Sequence, residues 1–200
     1  MSADGRPERW SAIAIALHWL AAALILELIV HGWIMVHGPL GAATTFDLYQ
    51  WHKSLGFTVL AITAARLAMR VAVAGPAAPA SSVWERRLAA FVQGLMIALT
   101  LAAIFAGWLV VSTSPLPIPT RFFNLFIIPD IAGPDAALFA SAVLAHKLIA
   151  WAIAGLAALH VAGAFKHHFV DRDDVLVRML PRLTGGSAPS RPPPGPAPSA

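Results

Sequence analysis

The stretch LFASAVLAHKLIAWAIAGLAALHVAGAFKHHF, Leu138 to Phe169, decides the fold. It is apolar almost throughout and exceeds the ~20 residues a helix needs to cross a bilayer. It carries His146 and His160, with Lys166, His167 and His168 at its far end. The 14-residue step between the two histidines places them roughly 21 Å apart along a helix and only about 40° apart around it. One helix therefore presents two imidazoles on one face at two depths. Leu, Ala, Ile and Trp dominate the positions between them, and a polar group in such surroundings costs free energy unless it is paired or ligated. The rest of the chain must supply the partners.

Composition agrees with a bilayer environment. The 200 residues are 58% hydrophobic and 12% charged, with mean hydropathy +0.70, which marks a polytopic membrane protein with room for about four spanning helices. There is no cysteine, which excludes disulfides, cysteine-ligated iron–sulfur clusters, covalent c-type haem and thiol catalysis. Any redox centre must be held by histidine or methionine. The +4 net charge and pI near 10.3 come from basic residues that flank apolar runs, a topology signal and not a nucleic-acid footprint.

Working outward, residues 1–9 form a short polar lead with Arg6 and Arg9, and a first apolar helix is expected from Trp10 to about Met35 with His18, Glu27 and His31. This run is too long for the apolar core of an ordinary signal peptide. A loop is expected over residues 37–47, then a second helix from Leu48 to about Val73 with His52 and Lys53 near its start and Arg66 and Arg70 near its end. Pro76, Pro79, Ser81 and Ser82 mark the next connection. A third helix without histidine is expected from about Leu88 to Val111, followed by a Pro-rich loop over residues 112–134 whose apolar patch, Phe122 to Ile128, reads as an interfacial segment. The opening stretch is the fourth helix. The fold class is all-α, an integral membrane four-helix bundle occupying residues 10–170, with residues 171–200 a polar tail whose Pro/Ser/Ala/Gly composition predicts disorder from about residue 185.

Basic residues set the expected orientation. With both termini cytoplasmic, that side receives Arg6, Arg9, Arg66, Arg70, Arg86, Arg87, Lys166, Arg172, Arg178, Arg182 and Arg191, and the other only Lys53, Arg121 and Lys147, eleven of the 14 against three, as the positive-inside rule requires. His18 and His160 then share the inner half of the membrane, and His52 and His146 the outer half. Each cross-helix pair has the arrangement a bis-histidine b-type haem needs, with imidazoles on facing helices approaching one iron from opposite sides. Small residues beside the ligands, Gly56 after His52 and Gly163 after His160, would leave room for a macrocycle. Zinc fits poorly, because it gathers its ligands in one small shell. Single intramembrane histidines also serve as packing residues or proton relays, and that alternative stays open for each one taken alone.

The residues also carry a family resemblance. Arg9-Trp10-Ser11 with His18-Trp19, Trp51-His52-Lys53-Ser54-Leu55-Gly56 followed by Arg66 and Arg70, Gly107-Trp108, His146-Lys147, His160, and the run from Lys166 to Leu176 together resemble bacterial cytochrome b561 over about residues 9–180. The 34-residue step from His18 to His52 and the 14-residue step from His146 to His160 are both reproduced. The resemblance implies a bacterial inner-membrane cytochrome with two noncovalent b-type haems on those four histidines. It implies electron exchange with quinone, ubiquinone being the expected acceptor, and in some members oxidation of periplasmic superoxide.

Beside the outer ligands, Lys53 and Lys147 with Arg121 would give the outer mouth a positive field for an anion or for haem propionates, unless they simply reach for the interface. Arg66 lies 14 residues after His52, at the depth of the inner pair, where it would meet a propionate or merely mark the inner helix end. Lys166, His167 and His168 would order inner propionates, join a proton path for quinone, or act as interfacial cations. Glu27 and His31, four residues apart, can hydrogen-bond within the bilayer. Two rival classes stand beside a free-standing cytochrome whose enzymatic activity is itself open. A membrane-anchor subunit of a larger oxidoreductase complex predicts a tightly bound protein partner, and a haem-free proton-relay or transport protein predicts a colourless preparation.

Overall fold

The four apolar runs are four long helices. The computed structural model describes residues 9–76, 82–116 and 118–181. Its helices are α1 Ala12–His37, α2 Ala42–Ala72, α3 Val83–Thr113 and α4 Ala136–Phe165, with a π-helical turn Lys166–Val170 continuing α4 and a 3-10 turn Val177–Met179 beyond it. Each of the four is long and apolar enough to cross a membrane. At 31 residues, α2 and α3 are about 46 Å long, well beyond the ~30 Å hydrocarbon thickness, so their polar ends continue into the interfaces.

That excess length corrects two expected boundaries. Residues 42–47, read as loop, are the first turns of α2, and α3 begins at Val83 instead of Leu88. Hydropathy marks the hydrocarbon-buried part of a helix, whereas the hydrogen-bonded helix persists through Thr44, Thr45 and Asp47 and through Glu85, Arg86 and Arg87. A capping box sets the true start of α3: Ser82 Oγ accepts from Glu85 N at 3.2 Å, and the Glu85 carboxylate accepts from Ser82 N at 3.0 Å. Ser11 caps α1 by accepting from Ala14 N, and Asp135 caps α4 by accepting from Ala137 N and Leu138 N.

The third connection is also more ordered than the expected loop. It contains a two-stranded antiparallel hairpin, β1 Thr120–Phe122 with β2 Phe126–Ile128, in register Thr120↔Ile128 and Phe122↔Phe126. Phe123 (φ 46°) and Asn124 (φ 60°) turn the corner in the left-handed region, closed by Leu125 N donating to Phe122 O, the geometry of a type I′ turn. The periodicity of so short an apolar patch gave no strand signal, and Phe is an unusual occupant of a left-handed position. The hairpin is tied to the start of α2. Buried Ser54 offers its hydroxyl proton to Gln50 O or Arg121 O and accepts from Phe123 N at 3.0 Å, while Gln50 Nε2 donates to Pro119 O. Trp108 Nε1 donates to Pro129 O and Ser112 Oγ accepts from Ile131 N, lashing the same connection to α3.

α1 packs along α2 and α3 along α4, whereas α2 touches α3 more loosely and α1 touches α4 only slightly. The bundle is therefore two helical hairpins with a seam between them. Few side chains are buried within the chain, among them Ile15, Ala21, Val59, Ile62, Val92, Ala142 and Ile153, because the outward faces are apolar surfaces suited to lipid. Past α4 the chain folds back under α1: Arg9 Nη2 donates to Leu180 O and Trp19 Nε1 to Met179 O, both at 2.6 Å. Arg6, Arg182, Arg191 and the tail from residue 185 lie outside the described residues.

Candidate functional site

The seam between the two helical hairpins holds the histidines. His18 on α1 faces His160 on α4 with ring centroids 6.2 Å apart and planes at 60°, and His52 on α2 faces His146 on α4 with centroids 6.2 Å apart and planes at 77°. All four expected candidates thus meet in the two expected pairs. The slight contact between α1 and α4 beside such close rings means that the side chains, and not the backbones, span the seam.

The spacing suits a shared metal. Two imidazoles giving one nitrogen each to the same ion, at about 2 Å per bond and with each nitrogen about 1 Å from its ring centre, stand about 6 Å apart between centroids. Direct hydrogen bonding does not account for either pair, since neither His18 with His160 nor His52 with His146 shares one. A Cβ placed on Gly56 or Gly163 would meet no heavy atom within 4 Å, so open space lies beside both. A planar group entering the seam between imidazoles is compatible with these facts.

The ring nitrogens not needed for ligation are treated differently at each site. His146 Nδ1 lies 2.8 Å from Ala103 O on α3 and donates to it, which leaves Nε2 with a free lone pair. Gly107, one turn further along α3, lets the ring fit, because a Cβ there would stand 3.1 Å from His146 Cε1 and 3.2 Å from Nδ1. The Gly107-Trp108 motif thus has a physical reason that no reading of α3 alone could supply. His18 Nδ1 instead faces Arg66 Nη2 at 3.1 Å, and since a guanidinium only donates, this nitrogen is the acceptor. His52 Nδ1 is buried and has no hydrogen-bond partner among the described residues.

Arg66 therefore sits at the His18–His160 pair, at the level its 14-residue offset from His52 predicts. Lys53 does not stand free: its Nζ donates to Pro119 O at 3.4 Å, bracing the hairpin. The basic cluster after α4 is engaged by carboxylates. Lys166 Nζ lies 2.8 Å from Glu85 Oε1 and from Asp171 Oδ2, and His167 Nδ1 lies 2.7 Å from Asp173 Oδ2. The expected contact between Glu27 and His31 is present at 2.7 Å. What depth matching missed is the neighbourhood of His31. Late in α1, its ring stands 5.8 Å from that of His52, and the signal was available in its position.

Comparison with known proteins follows the same lines. A family model described as prokaryotic cytochrome b561 matches residues 9–182. The cytochrome b561 homolog 2 of Escherichia coli (strain K12) is 32% identical over 181 residues, covering 90% of this chain and 95% of the relative. The cytochrome b561 homolog 1 of the same organism is 24% identical over 181 residues, covering 87% and 98%.

Proposed function

The chain belongs to the prokaryotic cytochrome b561 family of membrane b-type cytochromes, and from that premise we propose that it binds two haems and carries electrons across the membrane to the quinone pool. His18 and His160 would hold the inner haem, and His52 and His146 the outer one. The observation that carries this reading is the pair of facing imidazoles at two depths, each with centroids 6.2 Å apart across the seam. When bound, haem supplies reversible one-electron chemistry at iron.

The chain's own residues hold and orient. Ala103 O fixes the His146 ring, and its hydrogen bond makes Nε2 the ligating atom. At the inner site, ligation by His18 through Nε2 places the ring proton on Nδ1, so Arg66 must give up its present contact. The guanidinium is then free at that depth to pair with a propionate, an anion it binds in bidentate fashion. Both termini face the cytoplasm of the bacterial inner membrane, an arrangement supported by the eleven-to-three division of basic side chains. On the opposite side Arg121 and Lys147 are exposed, and they favour an anionic one-electron donor such as superoxide, with ubiquinone as acceptor.

The test is haem stoichiometry and visible spectra of the detergent-purified protein and of four single variants. Two low-spin b-type haems per chain are expected, with His52→Ala and His146→Ala losing one haem and His18→Ala and His160→Ala losing the other. Unchanged haem content in all four would refute the ligand assignment. Stopped-flow mixing with superoxide and a ubiquinone analogue tests donor and acceptor separately.

A further inference from the structure

Resting on the dihaem reading above, we infer that Glu27 and His31 are positioning residues of the outer site: they form a carboxylate–imidazole relay to His52 that makes this site the easier of the two to oxidise, so that electrons run from the outer site to the inner. Two buried nitrogens without partners point to it. Among the described residues, His31 Nε2 and His52 Nδ1 are both buried and unpaired, on rings whose centroids are 5.8 Å apart at 78°. One can donate where the other accepts. His31 already gives its Nδ1 proton to the Glu27 carboxylate at 2.7 Å, which leaves a lone pair on Nε2. His52, if it ligates through Nε2, must keep its proton on Nδ1 and needs an acceptor for it.

The separation is short enough to close. With each nitrogen about 1 Å from its ring centre, the two atoms can stand no closer than about 3.8 Å, a gap that one bridging water or a small displacement of the rings spans. The His31 side chain is 10% exposed while Glu27 is 44% exposed. The chain thus runs from a carboxylate at the edge of the bundle, through a buried imidazole, to the ligand. Such a carboxylate-terminated partner draws proton density from the ligand, raises its basicity and stabilises the oxidised metal.

The inner site has no carboxylate behind its ligand among the described residues. The group beside His18 is the Arg66 guanidinium, 3.1 Å from Nδ1, which only donates and so draws no proton density from the ring. The outer pair has a carboxylate behind one ligand and a neutral carbonyl, Ala103 O, behind the other. The two environments push the potentials apart, outer low and inner high, and an electron delivered at the outer mouth then moves inward downhill.

The experiment is an equilibrium redox titration, followed by visible and EPR spectra, of the full-length protein with haem bound. It compares wild type, Glu27→Gln, Glu27→Asp and His31→Gln. The outer midpoint is the one that His52→Ala removes. Glu27→Gln and His31→Gln are expected to raise that midpoint and shift its low-spin EPR signal while the inner midpoint stays in place, and Glu27→Asp is expected to retain most of the wild-type value. His31→Gln carries the decision should Glu27→Gln fail to assemble. Both haems bound with neither midpoint moved, or both midpoints moved equally, would overturn the relay. Failure of the underlying reading looks different: wild type itself would lack two haems, or His52→Ala would keep both low-spin signals.

Discussion

Gly107→Ala separates a helix's own stability from its service to the site. On propensity alone the change favours α3, since Ala is better than Gly by roughly 0.8–1.0 kcal/mol in a helix interior. Geometry opposes it at one place. The added Cβ would stand 3.1 Å from His146 Cε1, about 0.4–0.9 Å inside an ordinary carbon–carbon contact. The helix backbone of α3 is fixed by its own ladder, so the imidazole must yield. Moving it strains the 2.8 Å bond from His146 Nδ1 to Ala103 O, which sets the tautomer and aim of the ring. With His146 as a haem ligand, as proposed, disturbing this partner should cost about 10–100-fold in affinity, or roughly 1.4–2.7 kcal/mol. We expect Gly107→Ala protein to melt at or above the wild-type temperature in its haem-free form. It should also bind outer-site haem about 10–100-fold more weakly, with inner-site haem unaffected. Haem titration of the apoprotein, with the two sites resolved by visible and EPR spectra, reads both quantities. Wild-type affinity at the outer site would refute the steric argument, and a loss at both sites would show a general packing defect instead.

Other outcomes follow from the same contacts. Arg66→Ala should weaken the inner haem by about 10–100-fold and spare the outer one, and Arg66→Lys should restore it only in part, because a point charge cannot reproduce a planar fork; haem content and a resolved redox titration check this. Ser54→Ala removes the acceptor of the Phe123 amide and the donor to Gln50 O or Arg121 O, which should cost about 1–3 kcal/mol and release the hairpin first, seen as faster limited proteolysis within residues 118–131. Because the chain has no cysteine, single cysteines report topology directly. Leu125→Cys should be labelled by an impermeant thiol reagent in intact spheroplasts and Val177→Cys only after permeabilisation; the reverse pattern would invert the orientation.

Much of this molecule is legible one helix at a time. The four spans follow from runs of apolar residues too long for a soluble helix, since every backbone polar group must be satisfied within its own segment inside a bilayer. The two pairs His18 with His160 and His52 with His146 follow from depth, because helical rise converts sequence position into position along the membrane normal. Arg66 beside the His18–His160 pair follows from the same conversion. Hydropathy could not place the starts of α2 and α3, which are set by hydrogen bonding and capping, as Ser82 with Glu85 shows.

The sequence by itself therefore determined class, span number and the relative levels of the paired histidines and Arg66, all of which depend on local spacing and on transfer from water to lipid. Only the tertiary structure decided azimuth and contact. It showed that Gly107 is the space into which His146 fits, that Ala103 O holds the same ring, that Ser54 anchors a hairpin 67 residues away, and that His31 reaches His52. Those are meetings between helices, set by how each is rotated against its neighbours. Sequence hydrophobicity is nearly silent on that rotation in a bilayer, where a face turned to lipid and a face turned to the bundle are alike apolar.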